Sequence, residues 1–388
     1  MSRAAILVLV MWIFTACGTS SMAAHVAAQT PVGYEPSAVV EPTIDTWNLD
    51  EDIGAIMVLS WTARTSWPVV ESEISTDQIG GALLFAANFG GTPQGLKALD
   101  DRLLALSSRL CLAHPILTML DEEGGGVVNV KAPFAPPWQV TMAALGATEV
   151  RSLERVNGIG LNAAGLGLNL APVADVRTNS RDEVIGGRSF GSNPSVVAPL
   201  VAAAVQGLHD GGVGATIKHF PGLGGAAGDP HVALPTDNET ETHWEATQLP
   251  SFRAGVEAGA DAVMVTAVYV PGLGGGQVPA VFSPSIVGRV RTQLGFTGVV
   301  MTDSLSMGGI GARWSLAQAA VMAVAAGNDM ILLGNGDPTY EAQAIAAVKA
   351  AVLSGQISRA QVHASAERAN ALRDRYGRRP TPCRSRSA

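Results

Sequence analysis

Cysteine is scarce in this chain, with three in 388 residues, and no pair stands in a CxxC spacing or beside a histidine-rich cluster. The sequence therefore offers no metal-binding signature. Aromatic residues make up 5% and charged residues 15%, and the formal net charge is −8. No basic stripe runs through the body of the chain, which argues against a nucleic-acid partner. The Arg378, Arg379, Arg384 and Arg386 cluster lies in a Pro/Ser-rich stretch, 376–388, that reads as a solvated tail. Long apolar runs are missing as well: residues 4–16 form one too short to span a bilayer comfortably as a helix.

What is abundant is small and apolar. Hydrophobic residues make up 47% of the chain, enough for one large domain or two ordinary ones. The N-terminus has the layout of an export signal, with Arg3 before the apolar run and Phe14-Thr15-Ala16-Cys17-Gly18 closing it. Small residues before a cysteine resemble a lipobox, in which cleavage leaves Cys17 as a lipid-bearing N-terminus. An ordinary cleaved signal peptide, 1–17, is the alternative, and it too exports the chain. Residues 18–48 lack helical or strand periodicity and read as a tether. Cys111 and Cys383 could pair in an oxidising compartment, which spacing alone leaves open.

From residue 49 to 375 short apolar runs, polar or Gly-rich turns and helical stretches alternate. The spacing predicts strands at 56–61, 82–86, 116–120, 168–174, 215–220, 262–268, 299–302 and 330–333. Their Val, Ile and Leu content suits parallel strands covered on both faces. Ser283-Pro284 predicts a capped helix start, and Gly259 and Gly327 predict helix ends. Eight such units predict a single-domain α/β fold, a (β/α)8 barrel. The main alternative is a doubly wound sheet, but no GxGxxG opens a helix after the first strand. In a barrel, chemistry sits at the C-terminal strand ends. Asp121, Asp175, Lys218 with His219, and Asp303 fall at the ends of strands three, four, five and seven.

Four segments carry polar groups to that face. Residues 218–231 run from Lys218-His219 through a Gly-rich loop, built to move as a lid, to Asp229-Pro230-His231. Pro230 favours an extended Asp229, so that Asp229 and His231 face one side and the carboxylate fixes the imidazole tautomer. A surface Asp-Pro turn with an incidental histidine is the bland alternative. Asp303 either attacks an anomeric carbon or caps the following helix. In Asp121-Glu122-Glu123, alternation argues against a metal and for one inward carboxylate, Asp121, that accepts from sugar hydroxyls. Arg188, between glycines, either reaches a ligand oxygen or lies solvated at the surface.

Together these segments resemble glycoside hydrolase family 3, in particular its single-domain NagZ-type β-N-acetylglucosaminidases. The family's Lys-His-Phe-Pro-Gly-x-Gly signature, followed by Asp-x-His and Leu-Pro, is matched by Lys218 to Gly222, Gly224, Asp229, His231 and Leu234-Pro235. Its Asn-x-Ala-Pro-Val-x-Asp-Val run is matched at 169–176, and Arg-Ser-Phe-Gly at 188–191. The resemblance covers about residues 50–370. It implies Asp303 as nucleophile, His231 as general acid/base, Asp229 as its partner, and Asp121, Arg188, Lys218 and His219 as sugar-holding residues. It further implies a double displacement with retention and no metal or organic cofactor. The implied partner is a carbohydrate, a cell-wall (peptidoglycan) fragment bearing terminal β-N-acetylglucosamine. The expected protein is a monomer that touches the membrane only through a lipid anchor and faces outside the cytoplasm. Four positions depart from the pattern: Gly126 and Asn129 where arginines are usual, and Leu223 and Ala267 where histidines are usual. They bear on the aglycone preference and the rate. The missing arginines at Gly126 and Asn129 favour an alternative, a catalytically weak barrel that binds a sugar or partner; a β-glucosidase of the same family is a further alternative.

Overall fold

The computed structural model describes residues 48–180, 184–334 and 336–381. Cys17, Cys383, the signal segment and nearly all of the tether lie outside them. Eight parallel strands form the central sheet: β1 (Met57–Leu59), β2 (Gly81–Leu83), β3 (Leu117–Leu120), β4 (Leu168–Asn169), β5 (Gly214–Phe220), β6 (Ala262–Val265), β7 (Val299–Thr302) and β8 (Ile331–Leu332). Each follows its neighbour around the ring. β8 pairs with β1 through Met57 opposite Ile331, and a bridge between Met301 and Met330 joins β7 to β8. The expected (β/α)8 barrel is what the chain forms.

Two-residue alternation explains the packing. Val58, Leu83, Met119, Leu168, Met264, Met301 and Leu332 belong to one apolar cluster, the barrel interior. Met57, Leu59, Ala82, Leu120, Val263 and Val300 point the other way, into the layer shared with the helices. The helix-end expectations hold at Gly327, which has φ 101°, and at Gly259, with φ 95°. Ser283 precedes the helix Pro284–Thr292 as expected. Its hydroxyl bonds Ser285 Oγ at 3.0 Å rather than capping a backbone N–H.

The C-terminal stretch needs correction. A helix runs from Arg359 to Tyr376, and the chain beyond it stays on the body as far as Thr381. Arg378 pairs with Asp100 and Asp101, and Thr381 N–H donates to Ser108 Oγ at 3.0 Å. Ion pairing holds this part of the expected solvated tail. Cys111 is disulfide-bonded. Among the described residues no helix is long and apolar enough to cross a membrane.

Candidate active site

A cavity of about 500 Å3 opens at the C-terminal ends of the strands, lined by Asp121, Glu123, Arg188, Lys218, His219 and Asp303, with His231 also in its wall. Six of the seven expected catalytic and sugar-holding residues thus meet in one space, and the seventh, Asp229, touches His231.

The floor is an ionic network. Beyond β3 the chain folds into a small antiparallel hairpin, Glu122–Gly124 with Val127–Val128. Alternation turns Asp121 and Glu123 toward Lys218 while Glu122 faces away and accepts from Asn129 and Val130 N–H at 2.8 and 2.9 Å. The reading of a single inward carboxylate was therefore incomplete. Lys218 Nζ bonds Asp121 Oδ1 and lies 2.6 Å from Glu123 Oε1. Arg188 grips Glu123 through Nε and Nη2 at 2.7 and 2.8 Å, which removes the solvated-surface alternative. Burial pushes the Glu123 carboxyl up, but the charges of Lys218 and Arg188 outweigh it and hold it at about 2. Burial pulls Lys218 down, and Asp121 and Glu123 more than restore it, so the ammonium is held above its ordinary value.

Asp175, which stands at a strand end with no role evident from the sequence, also belongs to the site. It is fully buried, and its Oδ2 accepts from His219 N–H at 3.1 Å and lies 2.7 Å from His219 Nδ1. Its Oδ1 accepts from Leu223 N–H at 2.6 Å. Arg188 Nη2 stands 3.3 Å from His219 Nε2 and can only donate, so the ring hydrogen belongs on Nδ1, toward Asp175. The Lys218–His219 and Phe220–Pro221 peptide bonds are cis.

Asp303 follows β7. Its Oδ2 accepts from Thr266 Oγ at 2.7 Å and its Oδ1 from Ser304 N–H at 2.8 Å. It caps no helix, because the next one starts at Gly308 with Met307 before it. The helix-cap alternative is overturned.

Asp229 and His231 meet as expected, by a different local route. Asp229 opens a tight turn with Pro230 in its second position, and Val232 N–H donates back to Asp229 O at 2.9 Å. The stretch is a turn, not extended. Asp229 Oδ1 accepts from His231 N–H at 2.8 Å and lies 2.8 Å from Nδ1, leaving Nε2 unengaged by that carboxylate. Burial raises the Asp229 carboxyl, but the His231 backbone and ring, with Arg188 further off, bring it below the usual carboxylate range. The turn rests on the start of the short helix after Asp303: Gly308 N–H donates to His231 O and Gly309 N–H to Pro230 O, both at 3.1 Å.

The four departures have structural accounts. A Cβ on Gly126 would lie 2.3 Å from Trp138 Cη2, so the indole occupies the space where a side chain would start. Asn129 accepts from Ala86 N–H at 2.8 Å and donates to Asp121 O at 2.7 Å, tying two strand ends together. Leu223 and Ala267 are buried, and Leu223 also faces the cavity. Among the described residues no group of three or more His, Cys, Asp or Glu side chains is arranged to hold a metal ion.

Comparison with known proteins agrees with this fold. The family described as glycosyl hydrolase family 3 N terminal domain matches residues 48–372. A β-hexosaminidase of Xanthomonas oryzae pv. oryzae (strain MAFF 311018) is 32% identical over 305 residues, 76% of this chain and 87% of the relative. One from Stenotrophomonas maltophilia (strain K279a) is 35% identical over 274 residues, 66% and 78% of the two chains. Among solved structures, a family 3 β-N-acetylglucosaminidase from Paenibacillus sp. str. FPU-7 superposes with a TM-score of 0.81 at 31% identity. That match covers 88% of this chain and 65% of the longer Paenibacillus chain. A β-N-acetylhexosaminidase from Beutenbergia cavernae DSM 12333 gives 0.77 at 30% identity, covering 84% and 98%.

Proposed function

Because the chain belongs to glycoside hydrolase family 3, we propose that it is a retaining β-N-acetylglucosaminidase with Asp303 as nucleophile and His231 as general acid/base. The observation that carries this reading is that both residues line one cavity, with the His231 turn seated on the segment that follows Asp303. In the first step Asp303 attacks the anomeric carbon while His231 protonates the departing oxygen. In the second, His231 takes a proton from water, which displaces the carboxylate with net retention. Asp229 holds the imidazole by Nδ1, so that Nε2 serves the leaving group. Asp121, Arg188, Lys218 and His219 hold the sugar hydroxyls. The ion pairs of Lys218 with Asp121 and Glu123 and of Arg188 with Glu123, and the contact of His219 with Asp175, support this role, because the groups stand oriented before a ligand arrives.

The proposed substrate is a cell-wall fragment ending in β-linked N-acetylglucosamine, met outside the cytoplasm by a chain anchored through Cys17. Gly126 beneath Trp138 is the observation that favours the second reading, a weakly catalytic sugar-binding barrel. One assay separates the two. The full chain should release the chromophore from an aryl β-N-acetylglucosaminide well above the aryl glucoside, and Asp303→Asn should release none. A 2-acetamido fluorosugar should label Asp303, as located by mass spectrometry. Equal background release by wild type and Asp303→Asn would remove the enzymatic reading.

A further inference from the structure

We propose that Thr266 is a positioning residue that orients the Asp303 carboxylate for attack; this rests on Asp303 being the nucleophile. Thr266 is fully buried, one residue beyond β6, and its N–H donates to Phe220 O at 3.0 Å. Val265 of β6 stands in register with Thr302 of β7, so the next residues, Thr266 and Asp303, emerge side by side. The Thr266 hydroxyl donates to Asp303 Oδ2 at 2.7 Å, and Ser304 N–H donates to Oδ1 at 2.8 Å. Among the described residues these are the two donors that reach the carboxylate, one on each oxygen.

A carboxylate on a single bond to Cβ swings through a broad range unless both oxygens are held. Threonine suits the task because its branched Cβ restricts χ1 and so fixes where its hydroxyl points. Both donors are neutral. They set the plane of the carboxylate without the charge neutralisation that a lysine or arginine in contact would bring. In the first step one Asp303 oxygen forms the bond to the anomeric carbon as the glycosidic C–O bond breaks, and the leaving oxygen takes the His231 proton. The other oxygen becomes the ester carbonyl. In the second step water replaces the carboxylate, and the pair of electrons returns to it. The Thr266 hydroxyl is in place throughout, whichever oxygen it serves.

The test uses the full chain with an aryl β-N-acetylglucosaminide and the variants Thr266→Val, Thr266→Ala, Thr266→Ser and Asp303→Asn. The valine and alanine variants should lose about 10- to 100-fold in kcat with KM within about twofold, as expected when an orienting donor is removed. The serine variant, which keeps the donor, should stay within about fivefold of wild type. Alanine removes the donor with less bulk, so a packing fault in the valine variant does not imitate the effect. Valine and alanine variants at wild-type kcat, or a serine variant as impaired as they are, would overturn the proposal. If Asp303→Asn remains active, the nucleophile reading falls and this inference with it. If Asp303→Asn is dead and the Thr266 variants are unaffected, the inference alone falls.

Discussion

Replacing Glu154 by glutamine should make the protein more resistant to unfolding in alkaline buffer. Glu154 lies on the helix Ala147–Ala163 and is 1% exposed. Its Oε2 accepts from Asn157 Nδ2 at 3.0 Å, and the nearby Glu122 adds like charge. Burial first, then that repulsion, outweigh the Asn157 hydrogen bond and raise the carboxyl from 4.5 to about 8. The fold therefore keeps a proton that the unfolded chain gives up near 4.5. This contribution is fully present below that pH and is lost as pH rises through about 8. At about 1.36 kcal/mol per pH unit of separation, the window of roughly 3.5 units corresponds to at most about 5 kcal/mol, a large share of a typical domain's total stability. Glutamine has the shape of the protonated acid and cannot ionise, so Glu154→Gln should match wild type at pH 4 and exceed it at pH 9. Urea unfolding at pH 4, 6.5 and 9 measures the gap. A difference that stays flat within about 0.5 kcal/mol over this range would refute the reasoning.

Three further outcomes follow from the site. Lys218→Met leaves Glu123 buried beside Asp121 with only Arg188 to balance them; a loss of about 3–5 kcal/mol in unfolding free energy is expected, with KM raised, both readable by urea titration and steady-state kinetics. Asp229→Asn weakens the hold on the imidazole and should lower kcat/KM roughly 100-fold at unchanged melting temperature, checked by parallel kinetics and thermal scans. Gly126→Arg drives a Cβ to 2.3 Å from Trp138 Cη2; it should cost about 1–3 kcal/mol, and a second change, Trp138→Ala, should recover part of that loss in a double-mutant cycle.

The barrel was legible because most of the buried strands fall in short, largely apolar runs rich in Val, Ile and Leu, and all eight expected strands are present. Their ends were less legible. The run at 168–174 stops pairing at Asn169 as a strand; Pro172 has no N–H to give, and Val173 N–H goes to Gln139 Oε1 at 2.9 Å. The run at 82–86 ends early because Asn88 Oδ1 accepts from Phe85 N–H at 2.7 Å and starts a short helix. An asparagine three residues on was the available signal. Glu123 was also within reach, since alternation from Asp121 points to it directly. Asp175 was seen at a strand end, but its grip on His219 and on Leu223 joins segments 44 and 48 residues apart. No local pattern encodes such a contact. The Asp229–His231 pair was legible by spacing; that it is built as a turn was not, although Asp-Pro is a turn opener.

The seating of the His231 turn on Gly308 and Gly309 has a mechanical consequence. The proposed proton donor, His231, and the proposed nucleophile, Asp303, are thereby tied to one stretch of backbone, and a Cβ on Gly308 would sit 2.4 Å from His231 O. A single methyl group at that joint would lever the imidazole away from the carboxylate it works with. Two nearly bare residues thus let the His231 turn lie close against the chain that leads away from Asp303.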